Sequence, residues 1–442
     1  MSGPNPATSS SSPLVRPDRL LQQSPERSFG QTLRTKAGRK LTAPLLRALK
    51  DGSLTITDID GSTTTYGSSL SDGEELSAAL TINDERAWSA IATEGAVGFG
   101  RGYIENWWDS PDPTSVVQLL ARNLPRLDRY RDIWSSSGGR LTTAARKIMP
   151  RISRAKNKDD IAAHYDLGND FFKSFLDETL TYSSAIFPTP DASLAEASIY
   201  KYDRLLKKVG ADADSRILEI GTGWGGFAIR AAEQFGCNVT TTTVSSEQHK
   251  EANKRVSEAG LDNQINVLES DWRDLEGQFD QVCSIEMIEA VDWRDYSNYF
   301  ATIRKCLKPD GMVGIQAICT SDRRWERMKN TKDFIRHFVF PGGMLPSVGS
   351  INKAITKATD LQIVDLEDIS AHYAETLKRW RNAFDDNLPE ITKLGLDDRF
   401  CRLWRFYLAY CEAGFNERYI TVVQLVLAGP KWQPDNLALR PS

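Results

Sequence analysis

Two hydrophobic rhythms divide the chain. In the stretch from 39 to about 135, "GSLTITDIDGSTTTYG" alternates apolar and polar residues around an Asp-Gly pair, the pattern of a β-hairpin. Behind it, "DERAWSAIATEGAVGFGRGYIENWW" mixes strand with helix and "PTSVVQLLARNL" has helical spacing, so this stretch reads as a small α+β domain. From 160 to about 325 short apolar runs ("SRILEI", "CNVTTTTV", "QINVLES", "FDQVCSI", "GMVGIQAI") alternate with amphipathic helical stretches. That alternation predicts a parallel, doubly wound α/β sheet. Beyond 326, "HYAETLKRWRNAF" and "CRLWRFYLAYCEAGF" set aromatics at helical spacing and read as a helical cover. A last strand follows at "YITVVQLVLAG", which is too short to cross a bilayer. Residues 1–38 are polar, Ser/Pro/Arg-rich and aperiodic; they read as a disordered tail without a secretory signal.

Charge sharpens this picture at one place. Across 442 residues, 55 Lys+Arg against 59 Asp+Glu give a net charge of -4, so the chain as a whole is no binder of nucleic acid or other polyanions. The segment 138–158 departs from that balance, with Arg140, Arg146, Lys147, Arg151, Arg154, Lys156 and Lys158 and no acidic residue. Most of Leu141, Ile148, Met149 and Ile152 can share a helical face there, bent or broken at Pro150. Such a segment either rests on anionic lipid headgroups or is a solvated interdomain helix. The cysteines form no CxxC pair and the histidines no metal-ligand spacing, which points to a reducing compartment and no zinc. "GAVGFGRG" looks like a nucleotide loop, but Gly95, Gly98, Gly100 and Gly102 lack GxGxxG spacing; it reads as a tight turn against packed backbone.

In open α/β sheets, ligands sit beyond the carboxyl ends of the strands, where the first strand-to-helix turn presents backbone N–H groups and a helix N-terminus. Here that turn is "EIGTGWGG", with Glu219, Gly221, Gly223, Gly225 and Gly226. It is neither a dinucleotide fingerprint nor a P-loop, which disfavours NAD and ATP. An acidic residue just ahead of closely spaced glycines resembles motif I of class I S-adenosylmethionine-dependent methyltransferases. That resemblance implies the cofactor, with its methionine portion against the glycines. "DWRDL" stands where that fold holds the adenine, with Asp271 beside it and Trp272 as a stacking face. At the end of the second strand, where many members carry an acidic ribose ligand, the chain has Thr243 and, a turn later, Gln248.

Four further segments, "AHYDLGNDFFKSFLDETLTYSSAIF", "SIEMIEAV", "FIRHFVFPGGMLPS" and "HYAETLKRW", occur in this order around the turn. Together they resemble the cyclopropane-fatty-acyl-phospholipid synthase family, which includes mycolic acid methyltransferases and enzymes that add a mid-chain methylene branch. The resemblance covers about 160 to 430, and more loosely the small domain. It implies a Rossmann-like methyltransferase sheet with a helical cover in 160–442, a small N-terminal α+β lipid-associated domain in 39–137 and a basic linker in 138–159. It puts Tyr182 and Ser183 at the cofactor. It also implies methyl transfer to a cis double bond of an acyl chain, which leaves a carbocation that needs a dry pocket faced with π electrons. Tyr165, Tyr182, Phe187 and Tyr373 are candidates for that lining.

The family's bicarbonate, assigned as the base, would be held by Glu289, Tyr373 and the main chain at Ile318. Ser184 stands where cyclopropane-forming members have Cys, and Gln316 where they have His. Both can still donate hydrogen bonds, but neither replaces an imidazole. The base is then bicarbonate in a changed network or Glu289 itself. The altered ligands favour a hydride shift and a 10-methylene branch over ring closure to cyclopropane, with a separate reductase needed to saturate the methylene. A soluble-substrate methyltransferase and a non-catalytic lipid binder are the readings from other classes. The resemblance further implies a homodimer on the cytoplasmic face of a membrane, working on phospholipids.

Overall fold

The computed structural model describes residues 31–68, 76–138 and 167–434. Most of the expected tail, Tyr165 and the basic segment beyond Gly138 lie outside the described residues. Residues 31–38 do not continue the tail: the helix Gln31–Arg47 begins there. Its polar start hides it from periodicity, and Gly38 lets it pass close to the Trp88–Ser89 backbone, where a Cβ would come within 2.8 Å.

The hairpin forms as the alternation predicts. Strand β1 (Gly52–Thr57) pairs antiparallel with β2 (Thr63–Ser68), and the Asp58 N–H donates to the Ser62 carbonyl at 2.8 Å across a turn with Gly61 at φ +81°. Strand β3 (Ser77–Ile82) pairs parallel with β1, and β4 (Trp108–Asp109) antiparallel with β3. Period-two burial turns Leu54, Ile56, Leu80 and Ile82 inward. "GAVGFGRG" is not a turn but most of the helix Ala96–Ile104. Its glycines permit contact: a Cβ on Gly98 would lie 2.0 Å from the Ala90 carbonyl oxygen, and one on Gly100 2.2 Å from the Phe334 ring.

The second sheet has seven strands in the order β10-β11-β9-β8-β5-β6-β7. Its members are β5 (Arg216–Ile220), β6 (Asn238–Thr243), β7 (Ile265–Glu269), β8 (Phe279–Ile285), β9 (Leu307–Thr320), β10 (Gln362–Asp368) and β11 (Ile420–Ala428). The five strands read from the sequence are mutually parallel. The last strand, β11, runs antiparallel to both neighbours, and β10 lies inside the stretch expected to be purely helical. Strand order reverses between β5 and β8, which makes their carboxyl ends the expected ligand crevice.

The aromatic-rich helices Ser370–Asp386 and Asp398–Asn416 join the two sheets. Phe406 on the second packs against Phe99, Tyr103 and Trp108 of the small sheet's layer at 5.1 to 5.9 Å. The same helix turns Arg402 to the Tyr103 and Trp108 carbonyls (2.6 and 3.2 Å), and Arg122 pairs with Glu417 at 2.7 Å.

Candidate active site

The glycine turn after β5 requires glycine. Gly221, Gly223 and Gly225 have φ of +105°, +53° and +86°, and Gly225 caps the helix Gly226–Phe235. A Cβ on Gly221 would strike Met287 at 2.3 Å; one on Gly223 would meet nothing within 4 Å and would project into open space. Beneath the turn, Glu219 is buried and accepts from the Thr241 hydroxyl at 2.6 Å, and burial pushes its carboxyl pKa up to about 8. Thr243 and Gln248 are hydrogen-bonded to each other at 2.9 Å at the end of β6. Asp271 accepts from the Arg273 backbone and guanidinium at 2.9 Å. Trp272 is buried with its Nε1 unpartnered, its ring edge on Tyr299 and Arg273 over its face at 4.4 Å.

A second corner forms where β8 ends. Glu286, the next residue, sits at φ +53°. Its Oε1 accepts from the Ser184 N–H (2.9 Å) and Gln316 Nε2 (2.8 Å), and its Oε2 from the Tyr373 hydroxyl (2.8 Å). Glu289 accepts from the Ile318 N–H at 2.5 Å through Oε1, while its Oε2 has no partner. Both residues line a cavity and are half-buried as a whole, but the carboxyls lie at their inner ends, and the Glu289 Oε2 is itself buried. Desolvation raises the pKa of each; the negative charge of Glu286 adds to the rise at Glu289, which reaches about 8. Nearby, the buried Lys201 donates to Ser183 Oγ at 2.6 Å, and burial lowers its pKa to about 8.

One cavity of about 830 Å³ connects the two corners and continues into the small sheet. Its walls run from Gly221, Gly223 and Trp272, past Glu286 and Glu289, to Leu54, Ile56 and Leu80. Tyr182, Tyr373, Tyr407 and Phe415 face it near the carboxyls, with the Tyr182 and Tyr407 hydroxyls 2.9 Å apart. Of the expected aromatics, Phe187 is not part of this lining: its ring stacks on His372 at 6.2 Å beneath Arg379 at 4.3 Å. Ser184 and Gln316 do not reach the cavity either. The Ser184 hydroxyl donates to the Ala185 carbonyl, and Gln316 stands behind Glu286 with its Oε1 held by Gln424 at 3.1 Å.

The family model described as mycolic acid cyclopropane synthetase matches residues 152–425. The chain belongs to this family. It is similar to the tuberculostearic acid methyltransferase UfaA1 of Mycobacterium tuberculosis, with 41% identity over 349 residues, 77% of this chain and 81% of the relative. The cyclopropane-fatty-acyl-phospholipid synthase of Escherichia coli is 31% identical over 79% of this chain and 87% of its own length. Among solved structures, the Mycobacterium tuberculosis cyclopropane synthase MmaA2 aligns with a TM-score of 0.58 and 31% identity, covering 61% of this chain and 98% of that one. The mycolic acid cyclopropane synthase CmaA1 complexed with SAH and CTAB aligns with the same TM-score at 29% identity, over 61% and 98%. As a family member the protein is an S-adenosylmethionine-dependent methyltransferase that modifies lipid acyl chains, with the class I fold.

The glycine turn, the open space over Gly223 and the unpartnered Trp272 Nε1 fit that cofactor. Bicarbonate does not fit in the same way: the expected donors at Ser184, Gln316 and Tyr373 are engaged by Glu286, and the Ile318 N–H by Glu289. Glu286, Lys201 and Tyr407 are absent from the residues the sequence singles out. For Glu286 a signal exists, an acidic residue directly after a central strand at the switch point.

Proposed function

We propose that the protein methylates the cis double bond of an unsaturated phospholipid acyl chain and yields a 10-methylene branch. The carrying observation is the continuous cavity, apolar in the small sheet and faced with aromatic rings and two carboxyls beside the glycine turn. Bound S-adenosylmethionine supplies an electrophilic methyl group. Gly223 would give it backbone room, Gly221 lines the cavity beside it, and Trp272 would offer the adenine a face. Leu54, Ile56, Leu80 and Trp88 hold the chain away from water, which would quench a cation. The rings of Tyr182, Tyr373, Tyr407 and Phe415 turn π electrons toward the positive charge.

After methyl transfer, a hydride shift moves the charge to the methylated carbon, and loss of a methyl proton leaves an exocyclic methylene. The similarity to a tuberculostearic acid methyltransferase supports this branch, and a separate reductase would saturate it. Similarity to the Escherichia coli synthase supports ring closure as the second reading. Arg324, Arg327 and Lys332 line the cavity, the latter two exposed, and suit a headgroup phosphate. Docking of these cations on the bilayer surface is the route proposed for lipid entry; among the described residues no helix is long and apolar enough to cross a membrane.

The test is incubation with S-adenosylmethionine and oleoyl phospholipid vesicles, then ozonolysis of the product chains. Cleavage at a new exocyclic double bond is expected. Ozone-resistant chains of the same mass would move the reading to cyclopropane, and no methylated chain from any unsaturated lipid would sink both.

A further inference from the structure

Glu286 occupies an unusual position. It follows the buried strand β8 in the left-handed region at φ +53°, where a residue other than glycine is strained. Backbone and side chain are both held: its N–H donates to the Gln316 carbonyl at 2.8 Å, and its carboxyl takes hydrogen bonds from Ser184, Gln316 and Tyr373. Gln424, donating to Gln316 Oε1, orients that amide so that Nε2 faces Glu286. The donors gathered here are those of an oxyanion seat, and the oxyanion in it is covalently part of the chain. The neighbouring Glu289 uses Oε1 on the Ile318 N–H and leaves Oε2 unpaired. Two adjacent carboxyls in one dry site do not both ionise, so the better-solvated of the pair carries the charge. With three donors against one, that is Glu286.

We infer that the Glu286 carboxylate replaces bicarbonate as the proton acceptor of this site, and that turnover needs no bicarbonate. The inference rests on the reading that an acyl-chain cation forms in this cavity. In the step, a C–H bond of the transferred methyl group breaks, its electron pair becomes the second bond of the methylene, and the proton goes to a Glu286 oxygen. Cation and carboxylate become a neutral alkene and a carboxylic acid, with no oxidant or reductant involved. The Ser184 backbone, Gln316 and Tyr373 are positioning groups that hold the acceptor.

The experiment compares the full chain with Glu286→Gln and Glu286→Gly, in carbon-dioxide-free buffer and with added bicarbonate or formate, on oleoyl phospholipid vesicles. The unmodified protein is expected to turn over equally well in both buffers. Glu286→Gln keeps the side-chain shape and should lose roughly 10²–10⁴-fold in turnover while still binding S-adenosylmethionine. Glu286→Gly suits the backbone conformation and vacates the seat; it should be inactive without anion and regain turnover with bicarbonate or formate. A second readout needs no substrate: ¹³C-labelled bicarbonate should show saturable line broadening with Glu286→Gly and none with the unmodified protein. Saturable broadening with the unmodified protein, bicarbonate-dependent turnover of it, or an active Glu286→Gln would each overturn the inference. If no lipid is methylated by any form, the proposed reaction fails, and the bicarbonate measurement still decides who occupies the seat.

Discussion

The cofactor corner and the carboxylate corner lie on one cavity but are built in different ways. The first comes from a short stretch of sequence, Glu219 to Trp272, and much of it is backbone shape: glycines at positive φ and a strand end. The second is gathered from Tyr182–Ser184, Glu286–Glu289, Gln316–Ile318, Tyr373 and Tyr407, and it is side-chain chemistry: carboxyls whose protonation is set by who donates to them. They touch at Met287, whose side chain rests against the Cα of Gly221. Holding a ligand by backbone contour needs only local geometry, whereas setting the charge of a buried acid needs tertiary hydrogen bonds.

The sharpest way to separate the corners is a lesion confined to one. Gly223→Val places a branched side chain at φ +53° in space that is open without cofactor. The fold should survive with a loss on the order of 1–3 kcal/mol from backbone strain. Cofactor affinity should fall by roughly 10³-fold or more, about 4 kcal/mol. Calorimetric titration with S-adenosylhomocysteine checks this, and normal binding would remove the turn from the cofactor site.

That difference in construction also explains what could be read from the sequence. The glycine turn and the five parallel strands are legible because each is a local pattern. Strand β10 is not: "QIVDLED" is a half-exposed edge strand whose charges break the apolar run. The direction of β11 is set by its partners and leaves no mark in its own residues. Phe187 follows Ser184 closely in sequence, yet its ring turns away to His372. Within "SIEMIEAV" the family resemblance points to Glu289, and only the fold reveals that Glu286 takes the donors.

The carboxylate corner should answer a milder change differently. Glu289→Gln keeps the acceptor for the Ile318 N–H and mimics the protonated acid, so turnover should drop by roughly tenfold, the worth of one altered hydrogen bond, with cofactor affinity unchanged. A loss as large as that of Glu286→Gln would make Glu289 the base and invert the assignment within the pair. The same variant reports on stability. Glu219 and Glu289 both have folded pKa values raised from 4.5 to about 8, so the folded chain binds more protons than the unfolded one between those values. Their contribution to stability is therefore full below about pH 4.5 and is lost as pH rises toward about 8. Melting temperature of the cofactor-free protein should decline across that window, and the decline should be shallower in Glu289→Gln; an equal slope would show that Glu289 is ionised at neutral pH.

The smallest effect belongs to the mouth of the cavity, outside both corners. Arg327 and Lys332 are exposed; in the proposed docking each would contribute on the order of 1 kcal/mol toward an anionic surface, and salt would screen that contribution. Replacing both with Glu should weaken binding to anionic phospholipid vesicles by a factor that shrinks as ionic strength rises, raise KM for vesicle substrate and leave kcat and cofactor affinity alone. The split matters more than its size. An unchanged KM at low salt would take the headgroup away from this mouth, whereas a fall in kcat would mean that the segment carrying Arg327 and Lys332 shapes the reacting end of the cavity rather than its entrance.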